Sequence, residues 1–140
     1  IVYNRYNLLG TIEKNTDAGI YGRLDKTEEL FGKKELVETA AKEEIVTGPA
    51  KMRCFLEDEI REFDIEVMKV DQETAEINKG MMIRVTDEEL LEKTGGIIQG
   101  MSGSPILQNG KLIGAVTHVF VMDSTKGYGI FAETMLEQLK

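Results

Sequence analysis

The residues best suited to do chemistry lie in one short stretch, Gly100-Met101-Ser102-Gly103-Ser104-Pro105. A serine between two glycines, just ahead of a strand, has a physical use. Glycine tolerates positive φ and lets other backbone approach, so the turn can expose a hydroxyl and aim peptide N–H groups beside it. An acyl-transfer nucleophile needs that arrangement: an exposed Oγ, with donors placed for the oxyanion that forms on attack. Pro105, with a fixed φ and no N–H, suits the first residue of a strand leaving such a turn.

The elements that must position this stretch are mostly strands. Ile106-Leu107-Gln108 and the run from Lys111 to His118 flank Asn109-Gly110, a pair that favours the type I′ turn of a tight hairpin. Upstream, Ala50 to Leu56 reads as a strand that meets Glu62 to Val70 across the acidic turn Glu57-Asp58-Glu59. Phe63, Ile65 and Val67 alternate there with Glu62, Asp64 and Glu66, the two-residue period of a half-buried strand. Further strands are expected at Ile1 to Tyr3, Leu8 to Ile12, Ile20 to Leu24, Glu35 to Thr39, Ala75 to Asn78, Met81 to Val85, Val119 to Met122 and Tyr128 to Phe131. Turns are expected at Asn15 to Gly19 and Asp123 to Gly127, and a short helical turn at Thr27 to Phe31. Thr86 and Glu89 have capping-box spacing before Leu90 and Leu91, and Gly95-Gly96 stops the helix they open. Ala132 to Lys140 closes the chain as a helix. Many short strands with two short helices predict a single, mainly β domain, a barrel or sandwich.

Composition removes other classes. The 140 residues carry 17 Lys and Arg against 25 Asp and Glu, a net charge of −8. No basic stripe is present to meet nucleic acid. No apolar run approaches the roughly 20 residues of a membrane span. A single cysteine, Cys54, rules out an internal disulfide. Without paired histidines or cysteines no metal site is expected, and the chain lacks a Gly-Lys-Ser/Thr phosphate loop. The Gly-x-Ser-x-Gly elbow fails because Ser104 stands where its second glycine belongs. Ile1 is not an initiator residue, so the chain is read as a piece of a longer protein.

From Gly100 to Thr117 the order Gly-x-Ser-Gly-x-Pro, Asn-Gly and an apolar strand resembles trypsin- and chymotrypsin-like proteases without a gap. Within that class it is most similar to the SpoIVB peptidase family. Thr94 to Pro105, Gly114 to Val121 and Gly127-Tyr128-Gly129 carry the likeness, together with Gly10 to Thr16, Thr47 to Ala50 and Val85-Thr86-Asp87.

The resemblance implies a trypsin/chymotrypsin-like β-barrel with short helices, including a C-terminal one, and a serine endopeptidase activity that needs no cofactor. Ser102 matches the nucleophile and Asp87 the acidic residue assigned to the catalytic group. The N–H groups of Gly100 and Ser102 would form the oxyanion hole, and Thr117, His118 and Val119 the strand along which substrate lies. Its partners would be itself and a sporulation regulatory protein of an intramembrane protease complex, whose cleavage leads to sigma-factor activation. It would act outside the forespore cytoplasm, between the forespore and mother-cell membranes. The family's membrane segment, PDZ domain and catalytic histidine would precede Ile1, leaving membrane association to upstream segments and this chain without a complete catalytic group.

The residues also admit blander roles. Asp87 sits in the first turn of a capped helix, where a carboxylate is favoured whatever the function. His118, the chain's one histidine, is read as a substrate-lining or structural side chain in preference to the base. Met101 stands where trypsin-like enzymes have an acidic residue, so their buried ion pair to a new N-terminus is not expected. The rival from another class is a non-catalytic, protease-derived module gripping a peptide along Val116 to Val119 by strand addition; a third is a purely structural fragment.

Overall fold

A computed structural model of the protein describes residues 8–28 and 35–140. The expected strand at Ile1 to Tyr3 lies outside the described residues, as does most of the helical turn at Thr27 to Phe31. Six strands close an antiparallel barrel in the order β3-β4-β5-β8-β7-β6, where β3 is Gly48–Leu56, β4 Glu59–Val70, β5 Met81–Val85, β6 Pro105–Gln108, β7 Lys111–Phe120 and β8 Asp123–Phe131. Ahead of it a separate hairpin pairs β1 (Gly10–Thr16) with β2 (Gly19–Leu24). Helix α1 (Glu88–Thr94) follows β5, and α2 (Ala132–Glu137) follows β8.

The alternation in β4 sets the barrel wall. Phe63, Ile65 and Val67 point inward and are almost fully buried with Met52, Met81, Ile83, Ile106 and Val116. The intervening carboxylates point outward onto cross-strand cations, Glu62 to Arg53 (2.7 Å), Glu66 to Arg84 (2.7 Å) and Asp64 to Lys51. Such exposed pairs add at most about 1 kcal/mol each, so the apolar face determines the register and the ion pairs follow it. The acidic turn is tighter than expected. Only Glu57 and Asp58 lie outside the strands, both at positive φ (53° and 64°). Asn109 and Gly110 turn the β6–β7 hairpin in the same way (53° and 77°).

Several local expectations are corrected. Glu35 to Thr39 is not a strand; Thr39 makes one isolated bridge to Leu112. Ala75 to Asn78 gives way to a 3₁₀ turn, Ile77–Lys79, because the Thr74 hydroxyl accepts the Glu76 N–H (3.1 Å) and Glu76 O accepts the Lys79 N–H (2.8 Å). Local side-chain bonds of this kind compete with sheet ladders. The last hairpin turns at Val121-Met122, so Asp123 to Gly127 lies in β8, where Asp123 Oδ1 accepts the Thr125 N–H (3.0 Å) and hydroxyl (2.6 Å).

Asp87, not Thr86, caps α1. Its Oδ1 accepts the Leu90 N–H (3.1 Å) and its Oδ2 the Asp64 N–H (3.0 Å). One carboxylate therefore ties the helix start to β4. Asp87→Ala should cost about 1–2 kcal/mol, the ordinary value of a helix cap plus an orphaned amide. Urea unfolding would reveal it as a lower midpoint at unchanged slope, and an unchanged midpoint would refute the tie.

Candidate active site

The loop from Gly95 to Ser104 carries the nucleophile candidate from α1 to β6, and each end is pinned. At its start Gly95 is left-handed (φ 74°) and Ile97 N–H bonds to Ser124 O (2.7 Å). At its end Gly103 N–H reaches Val116 O (2.7 Å) and Val116 N–H reaches Ser104 O (3.0 Å), fastening the loop to β7. Met101 is buried beneath, its Sδ accepting the Ile98 N–H at 3.5 Å. With its neighbours buried or pinned, Ser102 stands exposed, and its Oγ donates to Thr117 O (3.2 Å).

The amides around it divide cleanly. Met101 N–H bonds to Ile98 O (3.1 Å), Gly103 N–H to Val116 O and Ser104 N–H to Met101 O (3.0 Å). Those of Gly100 and Ser102, the two expected at an oxyanion hole, make no hydrogen bond among the described residues. Gly100 holds φ at 100° with open space where a Cβ would stand, so glycine is required there for conformation and not for room.

Ser102 opens onto a cavity of about 530 Å³ shared with Asp17, Tyr21, Asn78, Thr117 and His118. The first two belong to the β1–β2 hairpin, whose tip forms one wall. Ala18 is buried there against Ala115 and Ile130, and the Tyr21 hydroxyl donates to Ala18 O (2.8 Å). Burial pushes the Tyr21 phenol above its usual pKa, so it remains a neutral donor. Asn78 joins both walls: its Nδ2 donates to Asp17 O (2.9 Å) and its carbonyl accepts the Thr117 hydroxyl (2.6 Å). Beyond Val116, β7 outruns β6, which begins at Pro105 opposite Ala115. His118 and Val119 pair with Tyr128 and Gly127 of β8 on one side, and their other edge has no strand partner among the described residues.

Of the expected site residues, Ser102, Thr117 and His118 line this one opening; Gly100 lies two residues before Ser102 in the same loop and Val119 one residue beyond His118 on β7, and neither is part of its lining. Asp87 is engaged elsewhere, and none of its hydrogen bonds reaches Ser102 or His118. Asp17, Tyr21 and Asn78 carry no local functional signal in the sequence: Asp17 falls in a turn cluster, which reads as a solvated loop, and Tyr21 and Asn78 fall in segments that read as strands. A larger hollow of about 670 Å³ over β3 and β4 is lined by no serine, cysteine or histidine among the described residues, and its cations Lys51 and Arg53 are already paired.

The SpoIVB peptidase S55 family matches residues 1–136. The chain belongs to that family. Among solved structures, this S55 barrel is similar to the Rv3671c protease from M. tuberculosis in its active form (TM-score 0.65, 13% identity, 93% of this chain and 56% of that one). Its inactive form matches at a TM-score of 0.58 and 13% identity (93% and 65%). A Ser-to-Ala mutant of the H37Rv protein, also in an inactive form, matches at 0.58 and 12% (93% and 62%). The likeness at such identities is one of fold, and it is the expected trypsin/chymotrypsin-like barrel. The S55 chain spans between 56% and 65% of the length of these solved chains. No curated protein matches the sequence.

Proposed function

We propose that the protein is a serine endopeptidase of the SpoIVB type, with Ser102 as nucleophile. The observation that carries this reading is the unengaged pair of N–H groups at Gly100 and Ser102 beside an exposed Oγ. A substrate segment adds to the open edge of β7 at His118 and Val119, as strand addition to a sheet edge requires. Ser102 Oγ bonds to the scissile carbonyl carbon while its proton passes to an imidazole base. The carbonyl π pair moves onto oxygen, and the oxyanion lies against the Gly100 and Ser102 amides. Collapse breaks the C–N bond, the amine leaves with the imidazolium proton, and water hydrolyses the acyl-enzyme. The family resemblance implies that an imidazole from another part of the catalytic domain would serve as the base. Asp87 supports by holding α1 against β4.

In the whole protein this chemistry would act on itself and on a sporulation regulatory protein of an intramembrane protease complex, outside the forespore cytoplasm, toward sigma-factor activation. The likeness of Thr94 to Pro105 and Gly114 to Val121 to that family supports the assignment. A second reading, a peptide-binding module without catalysis, is favoured by the same open edge of β7.

Fluorophosphonate labelling read by intact mass separates the readings. The full protein should gain one adduct at Ser102 and the 140-residue chain little or none. Labelling of the short chain at the full protein's rate would place the base inside it, at His118. No adduct on either would overturn the peptidase reading.

A further inference from the structure

The cavity beside Ser102 has a wall to which the proposed reaction gives no role, the tip of the β1–β2 hairpin. We infer that Asp17 is the carboxylate that orients the imidazole base of Ser102, an inference resting on the nucleophile reading above. An imidazole that takes the serine proton becomes a cation and must keep one tautomer. A carboxylate accepting its second N–H provides both. Asp17 is the only carboxylate lining this cavity among the described residues. No hydrogen bond or ion pair reaches its side chain among those residues, so its acceptor oxygens are available. The Asp87 carboxylate, in contrast, already accepts two backbone N–H groups at the α1–β4 junction.

The backbone beneath Asp17 is held from three sides. Asn78 Nδ2 donates to its carbonyl (2.9 Å), Ala18 N–H bonds to Thr16 Oγ1 (3.1 Å), and the Tyr21 hydroxyl reaches Ala18 O (2.8 Å) over a buried Ala18 side chain. Three separate hydrogen bonds, joined through the residues Asn78 and Thr117, brace this wall against the nucleophile's: Asn78 Nδ2 to Asp17 O, Thr117 Oγ1 to the Asn78 backbone carbonyl (2.6 Å), and Ser102 Oγ to the Thr117 backbone carbonyl (3.2 Å). Fixed support of this kind lets a carboxylate position a base within the tolerance that catalysis needs. Asp17 is a positioning residue: it acts through the imidazole and touches no reacting atom.

The test uses the full protein with Asp17→Asn, Asp17→Glu and, as control just past the end of β2 and outside the cavity lining, Asp25→Asn. Fluorophosphonate labelling rates, kcat and KM for a cleavable peptide, and urea midpoints are compared. Asp17→Asn should lower the labelling rate and kcat at least about a hundredfold with KM and the midpoint unchanged. Asp17→Glu should recover part of the loss, and Asp25→Asn should match the parent. A parent that labels while Asp17→Asn labels equally fast would overturn the inference alone, as would a loss that tracks the urea midpoint. A parent that does not label would overturn the nucleophile reading, and the inference with it.

Discussion

Ser102→Ala in the full protein is expected to lower cleavage by roughly 10⁴- to 10⁶-fold, the scale seen when a serine protease loses its nucleophile. The fold should not register the change. The Ser102 side chain is exposed and makes one hydrogen bond, to Thr117 O at 3.2 Å; a bond of that kind contributes about 1 kcal/mol net at most. The loop keeps its backbone fastenings at Gly103, Ser104 and Val116, none of which involves the hydroxyl. Activity and stability therefore separate, which makes the variant decisive between the two readings of the site. A binding module would keep its peptide affinity and lose nothing else. An alanine variant that still cleaves within tenfold of the parent would remove Ser102 from the chemistry. Paired measurements of kcat/KM and of peptide affinity, with urea midpoints for both proteins, settle the matter.

What could be read from the sequence depends on how local its cause is. The β4 strand was legible because a two-residue period over Phe63, Ile65 and Val67 is produced by the pleat itself, and the buried faces follow from it. The Asn109-Gly110 hairpin was legible because both residues accept positive φ. The turn that exposes Ser102 was legible for the same reason, with Gly100 and Gly103 at φ 100° and 91°. Where side-chain bonds compete with ladders, local reading failed. Thr74 and Glu76 hold a 3₁₀ turn where apolar content suggested a strand, and Asp123 braces the start of β8 where Asp-Ser-Thr suggested a turn. Thr86 and Asp87 compete for one cap, and Asp87 wins because its second oxygen also meets Asp64 N–H.

The cleft wall was illegible for a different reason. Asp17 and Asn78 meet where Ala18, in the β1–β2 turn, is buried against Ala115 of β7 and Ile130 of β8, a contact that no window of sequence contains. Sequence pattern locates groups that a turn exposes. It does not locate groups that packing brings to them, and half of this cleft is of the second kind.

Gly100→Ala tests the oxyanion assignment with the next largest expected effect. Gly100 holds φ at 100°, a region that L residues enter at about 1–3 kcal/mol. Nothing lies within 4 Å of the position an added Cβ would take, so no neighbour resists the methyl group and the strain is purely conformational. The chain can relieve it by turning φ negative, and that rotation swings the Gly100 N–H away from the Ser102 N–H. Losing one such donor lowers kcat by about 10²- to 10³-fold in serine proteases. KM should change little, because binding along His118 and Val119 of β7 is made before the oxyanion exists. Gly110→Ala supplies the comparison. That glycine also holds positive φ, 77°, with open space around it, but it turns the far hairpin and is remote from Ser102 in the fold. Both variants should lower the urea midpoint by similar amounts, and only Gly100→Ala should lose kcat. If the two lose kcat equally, or if kcat falls only as far as the folded fraction, the free amide of Gly100 has no part in catalysis.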